Sequence, residues 1–257
     1  KVQRAVLIRD YVIDHLDEAF AKGYIQVYYQ PVIRSISKTL CGFEALARWI
    51  DPVYGFLKPS EFIPALENSR QLYQLDLYIL EEVCKRLRAC LDDGIPVVPI
   101  SINLSRMDFL TCDIFTEVER RTQKYRIPHH LLCIEITESM FVQNAREIRI
   151  ILDHFREVGY QVWMDDFGSG YSSLNALKDY HFDELKIDMN FLSNFTQRSK
   201  DIIQSTIHMS KKIGIRTLAE GVETEEQFRF LRDIGCEKIQ GYFFGKPLPF
   251  DEMKAHI

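Results

Sequence analysis

Long apolar runs, paired cysteines and an excess of basic charge are all missing from this 257-residue sequence. No stretch reaches the roughly 18 apolar residues that a membrane-crossing helix needs, and no secretory leader stands out. The sequence therefore reads as a domain that makes no membrane contact of its own. The six cysteines are Cys41, Cys84, Cys90, Cys112, Cys133 and Cys236, and no two form a Cys-x-x-Cys pair. That removes the common zinc and dithiol signatures. Several sit in apolar runs, such as Leu131-Leu132-Cys133-Ile134, the pattern of buried free thiols in a reducing compartment. A cytoplasmic domain is expected. Against 32 basic residues stand 37 acidic ones, a net charge of −5, so a DNA-coating surface is not expected. A small anion held through metal ions stays compatible with that charge.

Low-complexity segments and linkers are absent too, and the length suffices for one large domain with a sizeable core. The expected organisation is a single domain over 1–257, with a helical segment at 1–23 and the main body over 24–250. The chain starts at Lys1, without Met and inside an amphipathic stretch, which suggests a piece of a longer protein. Anchoring of that longer protein to a membrane is left open.

What is present is a regular alternation. Ala5, Ile8, Val12, Leu16 and Ala19 recur at helical spacing. Two β-rich runs, 26–33 and 40–49, follow around a polar turn. Helix 71–92 comes next. Strands are then predicted at 97–104, 131–136, 161–165, 184–187, 216–219 and 238–243. The helices between them are predicted at 108–125, 143–158, 172–180, 198–213 and 224–234, several closed by glycine. About eight strands alternating with helices over this length fit a (β/α)8 barrel. Periodicity alone leaves an open doubly wound sheet as the alternative.

The short apolar strands end in carboxylates or an amide: Glu44, Asn103, Glu135, Asp165 with Asp166, Asp188 after Lys186, and Glu220. In a barrel all of these ends face one mouth, where active sites lie. Asn103, Glu135 and Asp165 are spaced by 32 and 30 residues, as are Asp188 and Glu220 by 32, about one βα unit each. A single acid at a strand end is usually a cap or a solvated rim residue. Several at equivalent positions repel one another and lose hydration, so cations are expected among them. The set holds hard oxygen ligands and no histidine, which suits Mg2+ or Mn2+. Adjacent Asp165 and Asp166 could serve two ions, a known device for in-line phosphoryl chemistry. Gly168-Ser169-Gly170 lacks the ending of a nucleotide P-loop and reads as an active-site loop.

These motifs together resemble the EAL domain. Glu44-Ala45-Leu46-Ala47-Arg48-Trp49 follows Tyr29-Gln30-Pro31-Val32. Then come Asn103-Leu104-Ser105, Glu135-Ile136-Thr137-Glu138, Asp165-Asp166-Phe167-Gly168-Ser169-Gly170, Leu185-Lys186-Ile187-Asp188, Ala219-Glu220-Gly221-Val222-Glu223-Thr224 and Gln240-Gly241-Tyr242, in that order. The likeness runs from about residue 10 to about residue 250. It implies a modified TIM-type (β/α)8 barrel with one antiparallel N-terminal strand, and a phosphodiesterase converting cyclic di-GMP to linear pGpG.

It also implies roles. Glu44, Asn103, Glu135 and Asp165 resemble ligands of one metal ion; Asp165, Asp166 and Glu220 resemble those of a second, with Asp188 in or near that shell. Lys186 resembles the residue that orients or deprotonates the attacking water. Glu138 resembles the acid that anchors the loop after Asp166. Gln30, Leu46 and Arg48 resemble substrate contacts, with Gln240 at the same site and Glu223 and Ser169 in support. Two Mg2+ or Mn2+ ions are implied as cofactor, with Ca2+ inhibitory. A homodimer and attached sensory or GGDEF-type domains are implied as partners. Asp51, Ser169 and Trp163-Met164 depart from the usual family pattern, the last pair just before the aspartates in sequence. A silent cyclic-di-GMP receptor and a protein-interaction scaffold are the rival functions; the retained acids and Lys186 speak for the enzyme.

Overall fold

The amphipathic start folds into α1 (Val2–Asp14) and α2 (Leu16–Ala21), burying Ile8, Val12, Leu16 and Ala19. The computed structural model describes residues 2–137, 140–141, 145–168, 173–187 and 195–253. Next, β1 (Ile25–Arg34) and β2 (Leu40–Asp51) form an antiparallel hairpin, in register from Ile25 opposite Trp49 to Pro31 opposite Phe43. Its connection is too short to return the chain for a parallel pairing. A short strand β3 (Gly55–Leu57) adds to β2, and α3 (Pro59–Asn68) and α4 (Leu72–Asp92) follow.

Strands and helices then alternate: β4 (Ile100–Leu104), α5 (Arg106–Thr111), α6 (Ile114–Tyr125), β5 (Leu132–Thr137), α7 (Ala145–Glu157), β6 (Gln161–Phe167), α8 (Ser173–Asp179) and β7 (Glu184–Ile187). The chain continues through α9 (Gln197–Lys212), β8 (Arg216–Ala219), α10 (Glu225–Asp233), β9 (Lys238–Gln240), β10 (Leu248–Pro249) and α11 (Phe250–Met253). The order β2-β4-β5-β6-β7-β8-β9 is parallel throughout, and β1 closes it into an eight-stranded barrel, antiparallel to both β9 and β2. The barrel with one antiparallel N-terminal strand is therefore what forms, and the open doubly wound sheet is not.

Alternation along each strand sorts the side chains. Ile102, Ile134, Ile136, Val162, Met164, Leu185 and Ile187 are buried, and all but Ile187 share one core cluster with buried residues of the surrounding helices. Each such Ile or Leu contributes about 1.5–3 kcal/mol relative to exposure. The other face turns into the barrel, and there the side chains are polar at the mouth.

The elements differ from the sequence-based expectation in several places. The 97–104 strand starts only at Ile100, because Pro99 has no N–H for the ladder. The single helix over 108–125 is two, since Asp113 caps α6 by accepting from Thr116 N at 3.1 Å. The last strand stops at Gln240 rather than Phe243. Gly241 turns there at φ 157°, and a Cβ on it would lie 2.2 Å from Val222 O. Strands β3 and β10 and helices α3 and α11 were not anticipated.

Candidate active site

The β1–β2 register sets Gln30 opposite Glu44, and the β1–β9 register sets Val32 opposite Gln240. Three polar side chains from three strands therefore meet. Gln240 Nε2 donates to Glu44 Oε2 at 2.6 Å and to Gln30 Oε1 at 3.1 Å. From β4, Asn103 Nδ2 donates to the other Glu44 oxygen at 3.0 Å. Glu44 is thus held by an amide on each side, and Gln240 is an orienting group as much as a wall.

Lys186 occupies the centre. Its side chain has no solvent exposure, and Nζ lies 2.6 Å from Glu135, 2.9 Å from Glu220, 3.2 Å from Asp165 and 3.5 Å from Glu44. Burial alone would lower its pKa, but the four carboxylates, Asp165 first, hold the ammonium well above the ordinary lysine value. Burial pushes the Glu135 carboxyl up to about 8 while Lys186 pulls the other way. Glu220 is driven well above the carboxylate range by the same burial, again opposed by Lys186.

Consecutive residues on a regular strand point to opposite faces, so Asp165 and Asp166 should not share a site. The β6–β7 ladder breaks that rule. Met164 pairs with Leu185 and Phe167 with Ile187, leaving both aspartates opposite Lys186 alone. Asp166 takes a left-handed φ of 56°, which Asp tolerates better than most residues. As a result Asp165, Asp166 and Glu220 each offer an oxygen, all within 4.8 Å of one another. Among the described residues, one Glu135 oxygen, Oε1, is buried with no hydrogen-bond partner. An unsatisfied buried carboxylate oxygen is costly, and a cation would satisfy it. The donor set at the site is all oxygen among the described ligand candidates, and it fits Mg2+ or Mn2+.

Above this cluster opens a cavity of about 320 Å³. Gln30, Glu44, Leu46, Arg48, Asp165, Asp166, Glu220, Glu223 and Gln240 all line it, so the fold brings these sequence candidates to one place. Asn103, Glu135 and Lys186 are not in its lining; they support it through the bonds above. Glu138, Ser169 and Asp188 lie outside the described residues. The cavity also has walls that were given no role from sequence: Gly221, Gly241, Tyr242 and Pro247. Tyr242 is 57% exposed, an aromatic ring left at the mouth one residue past the Gly241 turn. Its position just beyond a strand end was the available signal.

The loops at this mouth are tied together. Val222 N donates to Gln240 O at 3.1 Å, and Phe243 N to Val222 O at 3.0 Å. Gln227 Oε1 accepts from Glu223 N and Thr224 N at 2.8 and 3.1 Å, capping α10 directly after Glu220. Among the described residues, no helix is long and apolar enough to cross a membrane.

Comparison with known proteins adds relatives. The EAL domain profile matches residues 13–247. Oxygen sensor protein DosP of Escherichia coli is 35% identical over 240 residues, 93% of this chain and 30% of its own length. The bifunctional diguanylate cyclase/cyclic di-GMP phosphodiesterase MucR of Pseudomonas aeruginosa is 32% identical over 249 residues, 96% of this chain and 36% of its own. The chain thus spans about a third of the length of these relatives. A solved structure of the PaMucR phosphodiesterase in complex with c-di-GMP superposes with a TM-score of 0.89 at 31% identity, covering 95% of this chain and 99% of that one.

Proposed function

The chain belongs to the EAL domain family, and from that membership we propose that it hydrolyses one phosphodiester bond of cyclic di-GMP, releasing linear pGpG, with two divalent cations at the barrel mouth. The observation that carries this reading is the β6 irregularity. It puts Asp165 and Asp166 on the same side, with ligand oxygens within 4.8 Å of Glu220, beside a buried Glu135 that has one oxygen without a hydrogen-bond partner among the described residues.

One ion would be held by Glu44, Asn103, Glu135 and Asp165, the other by Asp165, Asp166 and Glu220. Asp188 and Glu138 keep the roles that the resemblance gives them. Bound there, such ions polarise a phosphoryl oxygen and lower the pKa of a coordinated water. The rest falls to the chain. Gln240 and Asn103 fix the Glu44 carboxylate, each through one of its oxygens. Lys186, whose Nζ contacts Glu44, Glu135, Asp165 and Glu220, would hold those ligands in place and through them orient the attacking water. Arg48, in the cavity wall, offers a guanidinium to a phosphate. Tyr242 offers a ring face on which a purine can stack.

Relatives much longer than this chain support attachment to further domains, and a homodimer is the assembly we propose for the active form. The test is direct. Purified protein is incubated with cyclic di-GMP and Mg2+, and products are resolved by chromatography and mass. Accumulation of pGpG supports the enzyme. Tight binding of intact cyclic di-GMP without cleavage, in Mg2+ and in Mn2+, replaces it with a receptor.

A further inference from the structure

Below the metal-binding carboxylates, the barrel interior holds a second buried ion pair. Lys238 Nζ lies 2.5 Å from Glu184 Oε2, and Glu184 has no solvent exposure. Trp163, Val32, Cys133 and Leu218 form one buried apolar cluster. Trp163 is in register with Glu135 on one side and with Glu184 on the other. The same ammonium of Lys238 stands over the Trp163 ring, 4.6 Å from its centroid. The indole is pinned in turn: Nε1 donates to Gln161 Oε1 at 3.1 Å, and Arg216 holds that oxygen at 2.8 Å.

We propose that Trp163 is a positioning residue that keeps Lys238 out of the metal-binding cluster. The inference rests on the metal reading of the site given above. Two buried carboxylates flank the indole, Glu135 on β5 and Glu184 on β7, and each has one oxygen without a hydrogen-bond partner among the described residues. Both attract a cation. Lys238 is two residues before Gln240 on β9, and the Gln240 amide already touches Glu44. Two residues of strand rise about 6.6 Å, a distance that the flexible four-carbon stem of lysine can cover. An ammonium that moved up would be a second permanent cation beside Lys186. It would take the free oxygen of Glu135 and repel divalent ions. The indole prevents this in two ways. Its bulk fills the path, and its π face gives the desolvated ammonium a second partner on the Glu184 side.

The measurement is Mn2+ affinity by calorimetry on the whole protein without substrate, with melting curves confirming that each variant folds. Trp163→Leu keeps most of the filled volume and removes the π face. Its Mn2+ dissociation constant should rise at least about tenfold, the scale of one added cation near the site. Trp163→Phe keeps a ring under Lys238 and should stay within about threefold of the parent. Adding Lys238→Met to Trp163→Leu should restore parent-like affinity, because the competing ammonium is gone. A packing defect would not be repaired by that second change. Should Trp163→Leu fail to fold, Trp163→Met carries the same expectations, since its flexible chain fills irregular space. Unchanged Mn2+ affinity in Trp163→Leu, or a double variant as weak as the single, overturns the proposal. A parent that binds no Mn2+ overturns the metal reading itself, and this inference with it.

Discussion

Replacing Lys186 separates the chemistry of this site from its stability. The ammonium lies within 3.5 Å of four carboxylates and is fully buried. In Lys186→Ala these acids lose their shared cation. Removing one partner of a buried ion pair costs on the order of 3–5 kcal/mol, which for a chain of this size corresponds to a melting temperature lower by roughly 6–20 °C. The cost should appear in full in EDTA. In Mg2+ it should shrink, because divalent ions neutralise the same oxygens. Loss of a positioned proton-transfer or hydrogen-bonding group costs about 10²–10⁴-fold in kcat. Binding of cyclic di-GMP, measured by calorimetry in Ca2+ to avoid turnover, should stay within a few-fold of the parent, since Lys186 does not line the cavity. Two results refute the reasoning: hydrolysis at the parent rate, or a melting loss that is the same in EDTA and in Mg2+.

Glu44→Ala should abolish hydrolysis while the fold survives, because mutual carboxylate repulsion falls; Gln30→Ala should mainly raise KM, and near-normal turnover in Glu44→Ala would remove Glu44 from the site. Ca2+ in place of Mg2+ should bind but stop turnover, since its longer and looser coordination misplaces the water; equal rates in the two ions contradict this. Asp76 on α4 has a pKa raised well above the ordinary carboxylate value, first by burial and then by the adjacent Asp108 charge. Among the described residues Asp108 Oδ1 is buried without a donor, and the adjacent Asp76 can supply one only while protonated. A raised carboxyl pKa gives stability that is fully present below the unfolded value of about 3.9 and is lost as pH rises through the folded one, at up to about 1.4 kcal/mol per pH unit. Asp76→Asn removes that loss, so its melting temperature relative to the parent should climb between pH 4 and pH 7; a constant difference contradicts the shared proton.

Much of this architecture is legible in the sequence, for a physical reason. A strand buried on its outer face must be apolar there. The acid that ends it stands out against that run, as Glu135 does after Leu132-Cys133-Ile134. Glycines after helices marked most of the borders. What could not be read is geometry that depends on two strands at once. Asp165 and Asp166 share a face only because the β6–β7 ladder skips, and no local pattern announces that skip. Nor does any single strand show that Gln240 reaches across β1 to hold Glu44. The missed helix α3 did carry signals: Pro59 at its first position, and Glu61 accepting from Lys58 N at 2.8 Å. Tyr242 was passed over because an exposed aromatic is ordinary until the cavity beneath it is seen.

In the proposed reaction the clustered acids hold two divalent ions at once. This is tested most directly by titrating Mn2+ into the metal-free protein while recording both its paramagnetic resonance spectrum and cyclic di-GMP hydrolysis. Two ions sharing Asp165 should sit about 3.5–4 Å apart and couple magnetically. Hydrolysis should rise with the second equivalent, together with the spectrum of a coupled pair. Full activity at one equivalent, with only the six-line signal of isolated Mn2+, would contradict it.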